Sequence, residues 1–96
     1  MATLSTHVLD TAAGKPASGV RVELAQHRVV VASGETDADG RIARLAADFP
    51  PGRYELVFWP PSPFFTRVEL EVELGDGHHH IPLLVSPYGC ASYRGS

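Results

Sequence analysis

Three consecutive histidines near the C-terminus are the residues of this sequence that most clearly suit chemistry. A period of two from His78 to Val85 predicts a β-strand with His78 and His80 on one face, roughly 6–7 Å apart. Because imidazole titrates near neutral pH, these side chains could take up and release protons during catalysis. They could instead bind zinc, which takes three or four protein ligands, if His7 from the first predicted strand lay beside them.

Four further side chains have types that suit a reaction on a small polar substrate. His7 lies on the polar face of the first predicted strand, and Arg41 directly follows the turn glycine Gly40. The planar, permanently charged guanidinium of Arg41 fits a carbonyl or an enolate-like pair of oxygens. Tyr93 and Ser96 belong to the last predicted strand, and each has a hydroxyl that can donate or accept a hydrogen bond. Each of these residues, taken alone, could equally be an ordinary surface or interface residue.

A series of short strands must position these side chains. Alternating or β-branched residues predict strands at positions 4–10, 19–26, 29–33, 41–45, 53–59, 66–74, 78–85 and 88–96. Turn residues separate the strands at positions 37–40, 50–52, 60–63 and 75–77, the last of which predicts a hairpin. Since no segment has a helical period, seven or eight strands predict an all-β fold, an antiparallel sandwich of two sheets.

The composition indicates one small domain spanning residues 1–96. A chain of 96 residues buries only about 60–70% of the surface of its unfolded state, so partner subunits would help to stabilise it. A net charge of −3 without a basic stripe argues against nucleic-acid binding, and a single cysteine excludes an internal disulfide. The sequence has neither a signal-peptide pattern nor an apolar run that could cross a bilayer. We therefore expect a cytoplasmic protein with no membrane partner.

Three separated blocks of the sequence resemble the 5-hydroxyisourate hydrolases, the transthyretin-related proteins of urate breakdown. The C-terminal signature of that family is His-x-His-Val-Pro-Leu-Leu-x-Ser-Pro-x-Gly-Tyr-x-x-Tyr-Arg-Gly-Ser. This chain matches the signature from His78 to Ser96 except at Ile81, a conservative change, and at Cys90, where the family usually has Tyr. Further matches lie at positions 4–10, 14–16 and 36–41. The blocks occur in the family's order and cover most of the chain.

The resemblance implies a fold, a reaction and a set of site residues. The fold is a transthyretin-like (prealbumin-like) sandwich, whose usual connecting helix we expect to be short or absent because positions 60–65 are few and rich in proline. The implied reaction is hydrolysis of 5-hydroxyisourate to 2-oxo-4-hydroxy-4-carboxy-5-ureidoimidazoline, with no cofactor and no metal. The implied site residues are His7, Arg41, His80, Tyr93 and Ser96.

Roles for these residues follow from the same resemblance. An imidazole, that of His7 or His80, activates water, and Arg41 stabilises the oxyanion. Tyr93 and Ser96 orient the substrate ring. The sequence leaves open which histidine is the general base. Cys90, which with histidines nearby could suggest a thiol nucleophile, is then a small packed residue.

Apolar residues on the histidine-bearing faces suggest self-association. Leu84 shares a predicted face with His80, and Leu9 shares one with His7. A small domain with such a face would bury it against a copy of itself. The resemblance implies a homotetramer with active sites at the dimer–dimer interface. The alternative is a non-catalytic transthyretin-like carrier or prealbumin-like binding module, because fold alone does not decide function.

Overall fold

The structure, a computed structural model, describes residues 1–95, which form nine β-strands and no helix. The strands are β1 (Ala2–Asp10), β2 (Lys15–Pro16), β3 (Arg21–Gln26), β4 (Val29–Glu35), β5 (Arg41–Phe49), β6 (Gly52–Phe58), β7 (Val68–Leu74), β8 (Gly77–Ser86) and β9 (Gly89–Ser92). One sheet has the order β2-β1-β8-β9, with β5 also paired to β1, and the other has the order β4-β3-β6-β7. The all-β sandwich predicted from the sequence is confirmed. The connection from 59 to 67 is a loop, as expected for a helix that is short or absent.

Alternating apolar side chains from both sheets form the core. Leu4 and Val8 of β1 are fully buried, as are Val22 and Leu24 of β3. Other large side chains that are almost fully buried are Tyr54, Leu56, Phe58, Leu83 and Val85. Removing such a side chain from water stabilises the fold by about 1.5–3 kcal/mol. The core therefore holds β1 and β8 rigidly by one face and leaves their other face free for polar residues.

The pairing of β1 with β8 is parallel and extends over nine residue pairs, with Ser5 opposite His80 and Leu9 opposite Leu84. Every other strand pair that the structure describes is antiparallel. The buried hydroxyl of Thr6 adds to this pairing, because it donates a hydrogen bond of 2.7 Å to the carbonyl oxygen of Ile81. The parallel pairing places the first strand beside the histidine strand, which strand periodicity alone does not predict.

The predicted hairpin at positions 75–77 is wrong. β7 is an edge strand of one sheet and β8 an inner strand of the other, so these residues cross between the sheets. The carbonyl oxygen of Gly75 in this crossing accepts a hydrogen bond of 2.9 Å from Nε2 of His79. Glycine and aspartate indicate a change of direction, but they do not specify whether the next strand pairs in the same sheet.

Several strand boundaries also differ from the prediction. β5 continues to Phe49, beyond the predicted end at position 45, because Phe49 and Ala46 pair with β1 through two irregularities of register. Lys15–Pro16, which lies between the predicted strands 4–10 and 19–26, pairs with the end of β1 as a two-residue strand. The last strand is β9, Gly89–Ser92, and is shorter than the predicted segment 88–96. No helix in the described part of the chain could cross a membrane.

Candidate active site

Three strands bring His7, Arg41 and His80 to one region of the first sheet. Arg41 is the direct cross-strand neighbour of His7 in the antiparallel pair of β5 and β1. Ser5, two residues before His7, is the direct neighbour of His80 in the parallel pair of β1 and β8. With strands about 4.8 Å apart and a rise of about 3.3 Å per residue, His7 and His80 are diagonal neighbours with backbones about 8 Å apart. Three of the five predicted site residues therefore lie close together within one chain.

The turn before β5 fixes the backbone of Arg41. The side-chain carboxylate of Asp37 accepts hydrogen bonds of 2.9 Å from the backbone N–H groups of Asp39 and Arg41. Gly40 has a φ of +73°, and a Cβ at this position would lie 2.5 Å from the carbonyl oxygen of Val8. Only glycine combines this conformation with so close an approach. The predicted tight turn is confirmed, and none of the ion pairs among residues 1–95 includes Arg41, so its guanidinium can bind a substrate oxygen.

The same turn determines the protonation of one nitrogen of His7. Nε2 of His7 lies 2.9 Å from the backbone carbonyl oxygen of Asp39. A carbonyl oxygen can only accept, so Nε2 carries a hydrogen and donates it. In the neutral imidazole the lone pair is then on Nδ1, and Nδ1 is the nitrogen of His7 that can exchange a proton with a substrate or water.

His80 is held on two sides. Its Nδ1 lies 2.7 Å from the hydroxyl oxygen of Ser5. On the other side, the backbone N–H of Gly95 donates a hydrogen bond of 2.7 Å to the carbonyl oxygen of His80. A Cβ on Gly95 would come within 2.8 Å of Cδ2 of the His80 ring, so the absence of a side chain there makes room for the imidazole. Nε2 of His80 is not engaged in any of the hydrogen bonds within residues 1–95, and it is the nitrogen left for a substrate.

The surroundings of His80 favour its neutral form. Burial lowers the pKa of His80 most, because it disfavours the imidazolium, and the positive charges of His7, Arg41 and His78 lower it further. A lowered pKa means that the imidazole is unprotonated at neutral pH. A neutral imidazole has one nitrogen with a free lone pair, and that nitrogen can accept a proton, as a general base must.

His78 also contacts the first strand. Its Nδ1 lies 2.7 Å from the hydroxyl oxygen of Thr3, and its Nε2 lies 3.0 Å from that of Ser5. The adjacency that a zinc site with His7 would need does exist, since β1 and β8 are neighbours. However, both ring nitrogens of His78 already face hydroxyls, and among residues 1–95 no group of three or more His, Cys, Asp or Glu side chains has an arrangement that could hold a metal ion.

The remaining predicted site residues do not join this group within the described chain. Tyr93 is 57% exposed and lines a groove of about 470 Å³ between β7 and β8, together with His79 and Ile81. No contact that the structure describes connects Tyr93 with His7, Arg41 or His80. Ser96 lies outside the described residues. The roles of Tyr93 and Ser96 thus remain predictions.

Cys90 is a packed residue in this structure. It lies on β9 opposite Val85, half-buried against the core, and burial raises the pKa of its thiol. A raised pKa reduces the thiolate fraction, so Cys90 is poorly suited to nucleophilic attack. This agrees with the interpretation made from the sequence.

Ser5 is a residue of this site that the sequence analysis did not single out. It is 8% exposed, and its hydroxyl lies between the imidazoles of His78 and His80. The sequence does contain a sign of this site, since the polar residues Thr3, Ser5 and His7 alternate along one face of β1. Without the pairing partner of β1, that polar face could not be connected to the histidines 75 residues away along the chain.

A comparison of the whole chain with known proteins gives a consistent result. A family model described as the HIUase/Transthyretin family matches residues 4–95. The chain belongs to this family. The resemblance found in the three sequence blocks is thereby confirmed over nearly the full length.

Among relatives in the HIUase/transthyretin family, the chain is similar to the 5-hydroxyisourate hydrolase of Caulobacter vibrioides, with 41% identity and 100% of both chains covered. Among solved structures, it is similar to Klebsiella pneumoniae 5-hydroxyisourate hydrolase, with a TM-score of 0.90, 40% identity and 100% of both chains covered. It is also similar to the transthyretin of Sparus aurata, with a TM-score of 0.85, 27% identity, and 96% of this chain and 95% of that chain covered.

The alignment with the Caulobacter relative also shows a difference in length. It spans 116 positions, whereas this chain contributes 96 residues, so the relative has segments with no counterpart here. A chain shorter than this relative agrees with the short connection from 59 to 67. The three residues brought together, His7, Arg41 and His80, lie within the matched range.

Proposed function

We propose that this protein hydrolyses 5-hydroxyisourate to 2-oxo-4-hydroxy-4-carboxy-5-ureidoimidazoline in urate catabolism. The activity is the one named for the Caulobacter and Klebsiella relatives. The observation that carries the proposal is the gathering of His7, Arg41 and His80, with Nε2 of His80 unengaged within the described chain and its imidazole kept neutral. A base beside a permanent cation is what attack on a carbonyl requires.

In the proposed reaction His80 is the general base. A water molecule loses a proton to Nε2 of His80 while its oxygen attacks the carbonyl carbon of the substrate's ring amide. The carbonyl oxygen becomes an oxyanion, which the guanidinium of Arg41 stabilises. The ring C–N bond then breaks, and the departing nitrogen takes the proton from the His80 imidazolium. One water molecule has been added across the C–N bond, and His80 is neutral again.

His7 supports this step by positioning the substrate or the water. Because its Nε2 donates to the carbonyl oxygen of Asp39, its ring orientation is fixed by the same turn that fixes Arg41. Its Nδ1 is then the atom that can hydrogen-bond the attacking water or the ring. The proposal therefore assigns His80 as the base and His7 as the positioning imidazole, the two roles that the sequence left open.

Tyr93 and Ser96 complete the proposed site as hydroxyls that orient the substrate. Support comes from Gly95, which lies between them in sequence and contacts both the backbone and the ring edge of His80. The closing segment therefore approaches the base. In this proposal Tyr93 contributes its phenol hydroxyl to a flat substrate ring.

We further propose that the site is completed by self-association into a homotetramer, with active sites at the dimer–dimer interface. Leu9 and Leu84 are paired on neighbouring strands and only partly buried. By strand alternation they lie on the same face as His7 and His80. A second copy covering this face would bury the leucines and exclude water from the reacting groups.

A non-catalytic carrier is the alternative, since transthyretin from Sparus aurata has the same fold. The two functions are distinguished by following the absorbance of freshly generated 5-hydroxyisourate with and without protein. We expect its loss to accelerate in proportion to protein concentration. His27→Asn is the matched control for substitutions of the site histidines. It replaces an exposed histidine in the turn between β3 and β4, where the φ of 51° is a conformation that asparagine tolerates. A decay curve unchanged by the protein would leave only the binding alternative.

A further inference from the structure

We propose that Ser5 and His78 are positioning residues that determine, through a chain of hydrogen bonds, which nitrogen of His80 carries its proton. The inference rests on the proposed role of His80 as the general base. It assigns a role to Ser5 and His78, which no step of the reaction above uses.

The chain of contacts is continuous across the two parallel strands. The hydroxyl oxygen of Thr3 lies 2.7 Å from Nδ1 of His78, whose Nε2 lies 3.0 Å from the hydroxyl oxygen of Ser5. The same oxygen of Ser5 lies 2.7 Å from Nδ1 of His80. The parallel register produces this order, because Thr3 is opposite His78 and Ser5 is opposite His80. We call these four side chains the relay.

The hydroxyl of Ser5 couples the protonation of the two imidazoles. It has one hydrogen, so it can donate to His78 or to His80 but not to both. If Ser5 donates to His78, then Nδ1 of His80 must carry a hydrogen and donate it to Ser5. The lone pair of neutral His80 is then on Nε2, the nitrogen that makes no hydrogen bond within the described chain.

The opposite direction would abolish the base. If Ser5 donated to Nδ1 of His80, the hydrogen of the neutral ring would be on Nε2, and Nε2 could not accept a proton from water. His78 would then have to donate from its own Nε2, and Thr3 would donate to its Nδ1. Neutral imidazole in water favours the form with hydrogen on Nε2, so a specific partner at Nδ1 is needed to select the other form.

The structure offers a reason why the relay selects the direction in which Nδ1 of His80 donates to Ser5. Thr3 and the exposed His78 are at its outer end, where water can satisfy either arrangement, whereas Ser5 and His80 are more buried. When Nε2 of His80 takes a proton, the resulting imidazolium also carries a hydrogen on Nδ1, and only an accepting Ser5 can remain bonded throughout. The charged groups facing His80 are His7 from β1, Arg41 from β5 and His78 from β8, all of which disfavour added positive charge.

The direct test is the tautomer of His80 in the resting protein, measured by correlating ring protons and nitrogens in a ¹⁵N-labelled sample at a pH where the imidazole is neutral. We expect hydrogen on Nδ1 of His80 in the unsubstituted protein. In Ser5→Ala and in His78→Phe, which has a ring but no nitrogen to accept from Ser5, the population should shift towards hydrogen on Nε2. The control is Ser92→Ala. It removes a hydroxyl of β9 that donates to the carbonyl oxygen of Pro82 on β8 and makes no hydrogen bond with an imidazole. This variant should leave the tautomer unchanged.

Kinetics provide the second readout. Ser5→Ala should lower kcat by at least about tenfold with little change in KM, a smaller loss than the 10²–10⁴ expected when a base is removed. His78→Phe should lower kcat in the same way, because Ser5 then loses the ring nitrogen that accepts its hydrogen. Ser92→Ala should behave like the unsubstituted protein.

The outcomes separate the relay from the proposed reaction. Hydrogen on Nε2 of His80 in the unsubstituted protein, or a tautomer unchanged in both Ser5→Ala and His78→Phe, would overturn the relay whatever the activity. Because the tautomer is measured without substrate, a selected Nδ1–H form that is lost in the two variants would support the relay even if 5-hydroxyisourate were not turned over. Such a failure of turnover would count against the proposed function alone.

Discussion

Gly95 is hydrogen-bonded to the backbone of His80 and leaves no room for a side chain of its own beside the His80 ring. Its N–H donates a hydrogen bond of 2.7 Å to the carbonyl oxygen of His80, and a Cβ on it would lie 2.8 Å from Cδ2 of the imidazole. The closing segment of the chain therefore limits where the ring of His80 can be. Together with Ser5 at Nδ1, this contact leaves Nε2 as the edge of the ring that can meet a substrate.

This contact predicts the effect of Gly95→Ala. The added methyl group should push the imidazole of His80 out of position, and kcat for 5-hydroxyisourate should fall by at least about tenfold, since misplacement by about 1 Å can reduce a rate by 10². Because Gly95 lies outside the nine strands and does not belong to the hydrophobic core, thermal stability should change little. The control is Gly75→Ala, where an added Cβ meets nothing within 4 Å. Equal activity of Gly95→Ala and Gly75→Ala would show that the contact does not position the ring.

Gly40→Ala should reduce both stability and activity. At a φ of +73° an L-residue is destabilised by about 1–2 kcal/mol, and the added Cβ would also clash with the carbonyl oxygen of Val8. The clash displaces the turn that fixes Arg41, so turnover should fall as well. The free energy of unfolding is measured in urea against Gly14→Ala, which has a φ of +70° but open space around the new methyl group. If both variants lose the same stability, the close approach to Val8 contributes nothing.

The pH dependence of activity should report the lowered pKa of His80. Burial, followed by the charges of His7, Arg41 and His78, lowers this pKa from its ordinary value of 6.5. As a base, His80 must be neutral, so kcat/KM should be maintained until the pH falls below 6.5 and then decrease. The unfolded chain protonates this imidazole at a higher pH than the folded chain does, so the free energy of unfolding should also decrease as the pH drops from 6.5 towards the folded-state pKa. An acid limb of kcat/KM at or above 6.5 would contradict the assignment of His80 as base.

Leu84→Glu should dissociate the proposed assembly. A carboxylate placed beside Leu9 on the exposed part of the sheet would be costly to bury against a second copy. We expect the mass in solution to decrease from that of a tetramer and turnover to fall with it. The control is Val31→Glu on the edge strand β4, a position that is already 52% exposed. A monomeric unsubstituted protein with full activity would exclude the shared site.

The fold and part of the site could be predicted because their signals are local. The turn at Gly40 is specified by four adjacent residues, and with it the backbone position of Arg41. Alternation likewise predicts that Leu4 and Val8 face the core while His7 lies on the other face. Such patterns determine the face of a strand, and the burial of these residues agrees with them.

Which strand pairs with which cannot be predicted from such local patterns. The contact of Ser5 with His80 joins residues 75 positions apart through a parallel pair, and neither strand contains a sign of its neighbour. The same ambiguity made positions 75–77 look like a hairpin, since a turn between β7 and β8 fits either topology. For Tyr93, the family resemblance implies a role beside the substrate. Within one chain, however, Tyr93 lines the groove between β7 and β8 and has no described contact with His7.

The central claim is that His7, Arg41 and His80 act together on 5-hydroxyisourate, and the most direct measurement is the rate of its loss with each residue replaced by alanine. Arg44→Ala, an exposed arginine on the same strand as Arg41, and His27→Asn are the controls. We predict that His7→Ala, Arg41→Ala and His80→Ala each reduce turnover by about 10² or more, the low end for losing a general base or an oxyanion partner, while both controls keep it. Near-unchanged rates in all three alanine variants would contradict the account.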